Sequence, residues 1–248
     1  MIQMREDAVV FLGPSLARDK AEQIVSARFL PPAAIGDVYR AALTQPSVIV
    51  IVDGYFEGVP AVWHKEILYA IDQGIDLHGC SSMGALRAAE LKQAGMTGSG
   101  AVYDQYASGR LTDDDEVAVA HGDAETGYRS ISDAMVNIRH GLETAQALGL
   151  VSQSAAEVLV RKAKELFYPE RHWSAVLQAA EEIPEVPGIE AMALREFVMA
   201  GAPDLKAQDA IDTLTALAAG RLPKGPRFEG GFPRTQAWTE FVLHERAR

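Results

Sequence analysis

The sequence predicts an α/β fold: a parallel sheet with crossover helices, then an all-helical C-terminal region. Three observations carry this. Short β-branched or apolar runs alternate with helical segments through the first half of the 248 residues. One run, SVIVIV at 47–52, is unbroken, so both faces of that strand are buried, as in the middle of a parallel sheet. After about residue 130 such runs become scarce and helical spacing recurs. The division is expected near 128, with the α/β core over 1–128 and the helical region over 129–248.

The first strand is predicted over 8–12 (AVVFL), closed by Gly13-Pro14. Helical spacing follows over 15–25, with Ser15 as its N-cap. Pro31-Pro32 breaks the chain, and 37–43 reads as a second helix. The strand 47–52 ends at Asp53-Gly54. A helix over 60–73 has Pro60 near its first turn and Gly74 as its stop. A short strand over 75–79 runs into Cys80-Ser81-Ser82-Met83-Gly84, then into a helix over 85–94 stopped by Gly95. Strand and helix in this rhythm imply right-handed crossovers. Beyond, helices are predicted over 132–148, 154–166, 173–182, 190–199 and 207–219, and 223–233 (PKGPRFEGGFP) reads as an irregular loop.

Composition narrows the function. With 34 acidic and 23 basic side chains the net charge is −11, which argues against a general nucleic-acid binder. The single cysteine, Cys80, excludes an intramolecular disulfide and a Cys-rich metal site. No apolar run reaches the roughly 18–20 residues of a membrane helix. The opening MIQMREDAVVFLG is charged where a signal peptide has its apolar core, so a cytoplasmic protein is expected.

The most informative stretch is 79–91, GCSSMGALRAAEL. A serine at a strand-to-helix junction stands where open α/β folds bind ligands. The helix start behind it supplies N–H donors and partial positive charge for an oxyanion. This is the arrangement of a nucleophile elbow, although Cys80 stands where the first glycine of G-x-S-x-G belongs if Ser82 is the nucleophile. The competing reading makes Ser81 or Ser82 an ordinary N-cap. Asp53-Gly54 and the Trp63-His64-Lys65-Glu66 run lie at the same sheet edge if the two strands are neighbours. Gly54 then offers an oxyanion-hole amide, and His64 a general base if it comes within about 3 Å of the reacting proton; a surface histidine is the competing reading.

A third cluster is 112–121, TDDDEVAVAH. Three aspartates and Glu116 invite a metal reading, but adjacent carboxylates rarely converge, and a solvated loop capping a helix near Glu116 is the commoner meaning. His121 is a second candidate base. Cys80 is a possible nucleophile or inert packing. Arg139 is suited to a carboxylate or a peptide C-terminus, or is an ordinary surface arginine. No phosphate loop occurs, and no metal or cofactor is expected.

Five blocks resemble the TfuA-like family: FLGPSLA at 11–17, PPAAIGDVYRA at 31–41, VIVIVDGYFEGVPAVWHKEIL at 48–68, GCSSMGALRAAEL at 79–91, and DDDEVAVAH ending at His121. The likeness runs from about residue 9 to about 140. It implies a role in backbone thioamide formation beside a YcaO-type cyclodehydratase, which activates a peptide amide oxygen with ATP so that sulfide replaces it. The implied contribution is hydrolysis of the C-terminal thiocarboxylate of a ubiquitin-like sulfur-carrier protein, with a ribosomal peptide or protein as the final substrate. Neither nucleic acid nor membrane is an expected partner.

The string Ser82-Met83-Gly84-Ala85 is also similar to the nucleophile turn of Clp-type serine peptidases. That likeness assigns Ser82 as nucleophile, the Gly54 and Met83 amides as oxyanion hole, and a histidine later in the chain, which favours His121 over His64. It leaves the expected core either Clp/crotonase-like or flavodoxin-like. Asp53 is expected to orient the base, Lys65 replaces it if a serine–lysine pair is used, and Ser81 and Gly84 complete the turn. The rival readings are a non-catalytic docking partner whose SSMG turn binds a carboxylate, and a peptidase acting on ordinary peptides. The helical second half is expected to be a partner-facing surface or a lid.

Overall fold

The computed structural model describes residues 3–226 and 231–247. The chain divides into two compact units, residues 1–110 with 209–248, and residues 111–208.

The first unit holds five parallel strands: β1 (Gln3–Phe11), β2 (Val25–Leu30), β3 (Val48–Ile51), β4 (Asp76–Cys80) and β5 (Thr97–Ser99). Their order is β2-β1-β3-β4-β5. That is the flavodoxin-like order, with a topological switch between β1 and β3, where open sheets leave a crevice beyond the carboxyl ends of the strands. Of the two cores expected, this is the flavodoxin-like one, so the likeness to Clp-type peptidases is confined to the turn. The register runs regularly from β1 to β5, with Val10 beside Val50, Val50 beside His78 and His78 beside Thr97, whereas the β1–β2 pairing shifts between Met4 and Val9.

The side-chain period of two sorts the strand residues. Ala8, Val10, Val50, Val52 and Cys80 face a core shared with Ala21 of α1 (Arg18–Ile24) and with Ala210, Leu214 and Leu217 of α10 (Leu205–Ala218). The opposite face meets α4 (Met83–Leu91) at very close range. A Cβ on Gly79 would stand 2.0 Å from the Gly84 carbonyl oxygen, and one on Gly84 1.7 Å from that of Ile51. Only glycine at both positions lets the helix lie this close to β3 and β4.

Helices α2 (Asp37–Ala42), α3 (His64–Asp72) and α5 (Ala101–Ala107) complete the crossovers, and α11 (Gln236–Arg246) ends the chain. Aromatic rings from α2, α3 and α11 meet here, Tyr39 lying 5.6 Å and Tyr69 5.2 Å from Trp238. Of the loop predicted over 223–233, residues 227–230 lie outside the described residues; the others lack regular structure.

The second unit is helical: α6 (Met135–Ala147), α7 (Gln153–Glu165), α8 (Trp173–Glu182) and α9 (Gly188–Gly201). Its core is made of Met135, Ile138, Leu142, Leu159, Leu177 and Leu194. The region expected to run from 129 to the end is therefore divided: the last forty residues belong with the sheet, because the apolar side of α10 covers one of its faces.

Candidate functional site

Three loops close the carboxyl ends of β1, β3 and β4, and each is fixed by a particular residue. After β3 stands Asp53, whose carboxylate is buried. One of its oxygens accepts the Gly13 and Ser15 N–H groups at 2.9 and 3.1 Å, the other the Ser15 hydroxyl at 2.6 Å. Ser15 therefore bonds Asp53, and Ala17 takes the N-cap position of α1 that Ser15 was expected to fill. Instead of orienting a base, the Asp53 carboxylate shapes the turn after β1.

Gly54 follows, bridged to Ala33. A Cβ there would stand 2.8 Å from Cγ of Met83 and 3.1 Å from the Ala33 carbonyl oxygen. The Gly84 N–H donates to the Val52 carbonyl at 3.3 Å. The end of β3 and the start of α4 are thus pressed together, and Gly54, Met83 and Gly84 share one edge with Ser81 and Ser82.

The turn between β4 and α4 is unusually tight. Ser81 has φ +64°, and the Ser82 N–H donates across it to the Cys80 carbonyl at 2.7 Å. This three-residue γ-turn is the rarer, strained kind. A positive φ on a serine costs of order 1–3 kcal/mol and survives only where the surroundings enforce it. Here the glycine contact between β4 and α4 does so. Ser82 takes the N-cap position, as the ordinary reading expects, but its hydroxyl makes no capping bond. It is 6% exposed and has no side-chain partner among the described residues. The Met83 N–H, in the first turn of α4, has no carbonyl of its own helix to bond. The turn therefore sets a serine hydroxyl beside helix-start amides, which suits it to an acyl carbon and its developing oxyanion.

Spacing also distinguishes the two serines. Gly79-Cys80-Ser81 supplies the G-x-S half of the elbow pattern with Ser81 at the strained position, and Met83 stands where the second glycine belongs. The Cys80 thiol is fully buried and burial pushes its pKa up, so it is a poor source of thiolate. His78 is buried between Thr97 and Ser99, both at 2.8 Å, and burial lowers it to about 4, which leaves it neutral.

The histidines singled out by sequence fall in different places. His64 opens α3, and its Nε2 lies 2.8 Å from the Glu90 carboxylate, which Arg87 also bonds at 2.7 Å. Burial works to raise Glu90, but the bonds from His64 and Arg87 hold it below the usual carboxylate range. Glu90 comes seven residues after Met83, about 10 Å along the helix axis. This pairing holds His64 well down α4 from the serine turn. Lys65 lies over the Trp63 ring, 5.5 Å from its centre, and its ammonium bonds Thr235.

His121 belongs to the second unit. Its Nδ1 lies 2.7 Å from the Gly122 carbonyl. A carbonyl only accepts, so Nδ1 carries a proton. Thr112, Asp113 and Asp114 are exposed, as expected of a solvated loop, while Asp115 is half-buried, Glu116 is buried, and Asp114–Glu116 form a short 3-10 turn. Lys164 meets Asp113 at 3.1 Å, Glu116 at 2.9 Å, and Asp115 as well. The three carboxylates that could gather round a metal thus converge on an ammonium group. Arg139 grips Glu116 with two bonds of 2.9 Å, so its carboxylate partner is internal.

Sequence reasoning missed two organising groups. Ser15 binds Asp53, and buried Glu66 accepts N–H groups of Gly36, Tyr39 and Trp63 at 2.8–3.1 Å, tying the starts of α2 and α3 together. The spacing of Trp63 and Glu66 was the available signal for the second.

Residues 53–172 match the model of the TfuA-like proteins. This part of the chain is TfuA-like. The matched stretch contains the serine turn, His64, the acidic run, His121 and Arg139, while the blocks at 11–17 and 31–41 precede it. The TfuA-like family is associated with YcaO enzymes. The chain matches no curated protein.

Proposed function

We propose that this TfuA-like protein assists YcaO-dependent backbone thioamide formation by hydrolysing the C-terminal thiocarboxylate of a ubiquitin-like sulfur-carrier protein. The observation that carries the proposal is the Ser82 hydroxyl. It makes no capping bond at the start of α4, where a strained turn delivers it, with Met83 next in the chain and Gly54 packed against the Met83 side chain.

The Ser82 oxygen attacks the thiocarboxylate carbon, and a base takes its proton. The charge that gathers on the carbonyl oxygen is met by the Gly54 and Met83 amides and the helix start. The base passes that proton to sulfur, the C–S bond breaks and hydrosulfide leaves, with the carrier esterified to Ser82. Water cleaves the ester, returning the hydroxyl and a carboxylate. The net reaction is thiocarboxylate plus water giving carboxylate plus hydrogen sulfide. The base is assigned to a histidine, His121 by the likeness to Clp-type peptidases, with His64 as the alternative. The sulfide passes to the YcaO partner, which acts on a ribosomal peptide or protein.

One observation favours a variant of this reading. Ser81 holds the positive φ and follows Gly79 at G-x-S spacing, as the nucleophile of a strict elbow does. Sulfide release from thiocarboxylated carrier, measured for wild type, Ser82→Ala, Ser81→Ala, His121→Ala and His64→Ala, separates them. Loss by at least about 100-fold is expected in Ser82→Ala and His121→Ala. The same loss in Ser81→Ala alone moves the nucleophile by one residue. An inactive wild type with its YcaO partner present removes the catalytic reading and leaves a docking subunit.

A further inference from the structure

The two units differ sharply in charge. Residues 111–208 carry 17 acidic and 8 basic side chains, a net −9, so the sheet unit holds only −2 of the total −11. Within this acidic unit α9 shows an outward stripe of large apolar side chains: Ile189 is 79% exposed, Met192 66% and Met199 78%. The spacing 189, 192, 196, 199 is that of one helix face, three apolar positions and Glu196. Leu194 and Ala191, on the other side of α9, are buried in the core, so the helix is already anchored and the stripe is surplus to folding. Arg195, the only basic residue of α9, is tied to Glu181. Glu196 on α9 and Glu182 and Glu185 shortly before it in the chain are exposed.

We infer that the outer face of α9 is a docking surface for a basic amphipathic helix of a protein partner. Methionine side chains are unbranched and polarisable, and shape themselves to an apolar helix face. The exposed glutamates select lysine and arginine on the flanks of that helix. A second copy of this chain is a poor occupant, because each copy brings a like-signed charge of −9 in the same unit.

The probe is a fluorescein-labelled 18-residue peptide of leucine and lysine arranged as an amphipathic helix, titrated with the full chain and followed by anisotropy. The double variant Met192→Glu, Met199→Glu is expected to weaken binding by more than about tenfold. Leu148→Glu, an exposed apolar position elsewhere in the unit, is expected to leave it unchanged. The glutamates make the test sharp, since binding by charge alone would grow stronger in the double variant. Equal or tighter binding there, equal binding of a scrambled peptide, or the same loss in Leu148→Glu would overturn the inference. So would a wild-type dimer in sedimentation that the double variant abolishes. Unchanged circular dichroism is the control for folding.

Discussion

Carboxylates that organise the fold are satisfied in opposite ways in the two units. In the sheet unit, Asp53 and Glu66 accept backbone N–H groups from neighbouring loops, with a serine hydroxyl in addition at Asp53. In the helical unit, Asp115 and Glu116 are held by Lys164, Arg139 and Arg171. The first arrangement uses charge to shape backbone at the edge where the serine turn lies. The second uses charge to hold a helical unit to one geometry. Acidic residues of the same type thus organise a candidate site in one place and a scaffold in the other.

The largest effects are expected from breaking either arrangement. Arg171 is wholly buried, bonding Asp115 and the carbonyls of Ala163 and Leu166 at 2.9–3.1 Å. Arg171→Ala leaves the two carbonyls unpaired and Asp115 with Lys164 alone, and is expected to cost about 3–5 kcal/mol, read as a lower urea midpoint. Gly84→Ala drives a methyl group into the Ile51 carbonyl and is expected to cost about 3 kcal/mol as α4 shifts. Because α4 carries the serine turn, sulfide release should fall with it. Asp53→Ala should cost about 2–3 kcal/mol by unpairing the turn after β1.

The pH responses of the two regions should run in opposite directions. Burial raises Glu66 to about 7, against the pull of its backbone hydrogen bonds. Its folded-state proton is held more tightly than in the unfolded chain, so its contribution to stability is complete below the ordinary carboxylate range. That contribution is lost as pH rises through about 7. For Asp115 burial works upward, but hydrogen bonds from Lys164 and Arg171 bring it below its ordinary value. Its contribution is present above that ordinary value and is lost as pH falls through the depressed one. Hydrogen exchange of the full chain should therefore show the amides of Gly36 and Tyr39 less protected at about pH 8 than at about pH 5.5, with those around Asp115 unchanged. Identical responses in both regions would remove the comparison.

The smallest effect is expected at Ser81. Glycine tolerates the positive φ, so Ser81→Gly should change stability by less than about 1 kcal/mol. If the role of Ser81 is to turn the chain, sulfide release survives that change.

Much of this was legible in the sequence, but unevenly. The runs at 47–52 and 173–182 correspond closely to β3 and α8 because buried β-branched residues and helical spacing give unambiguous patterns. Strand β2 was missed: the predicted helix stops at Val25, where the strand begins, and VSARFL alternates too weakly to reveal a strand covered on one side by α1. The return of α10 to the sheet was invisible, because an amphipathic helix does not say which unit its apolar side covers. At the candidate site, the strand-turn-helix pattern picked out the turn that holds Ser81, Ser82 and Met83, which the structure places between β4 and α4. Glycine contacts and loop hydrogen bonds were not legible, as they depend on residues about forty positions apart, such as Gly13 with Asp53.

The measurement closest to the central claim is the mass of the protein after rapid acid quenching with thiocarboxylated carrier, followed by mapping of any ester-linked fragment. The account predicts an adduct of enzyme plus carrier less hydrogen sulfide, carried on the Ser82 oxygen and absent from Ser82→Ala. An adduct on Ser81, or sulfide release that continues undiminished in Ser82→Ala, would contradict it.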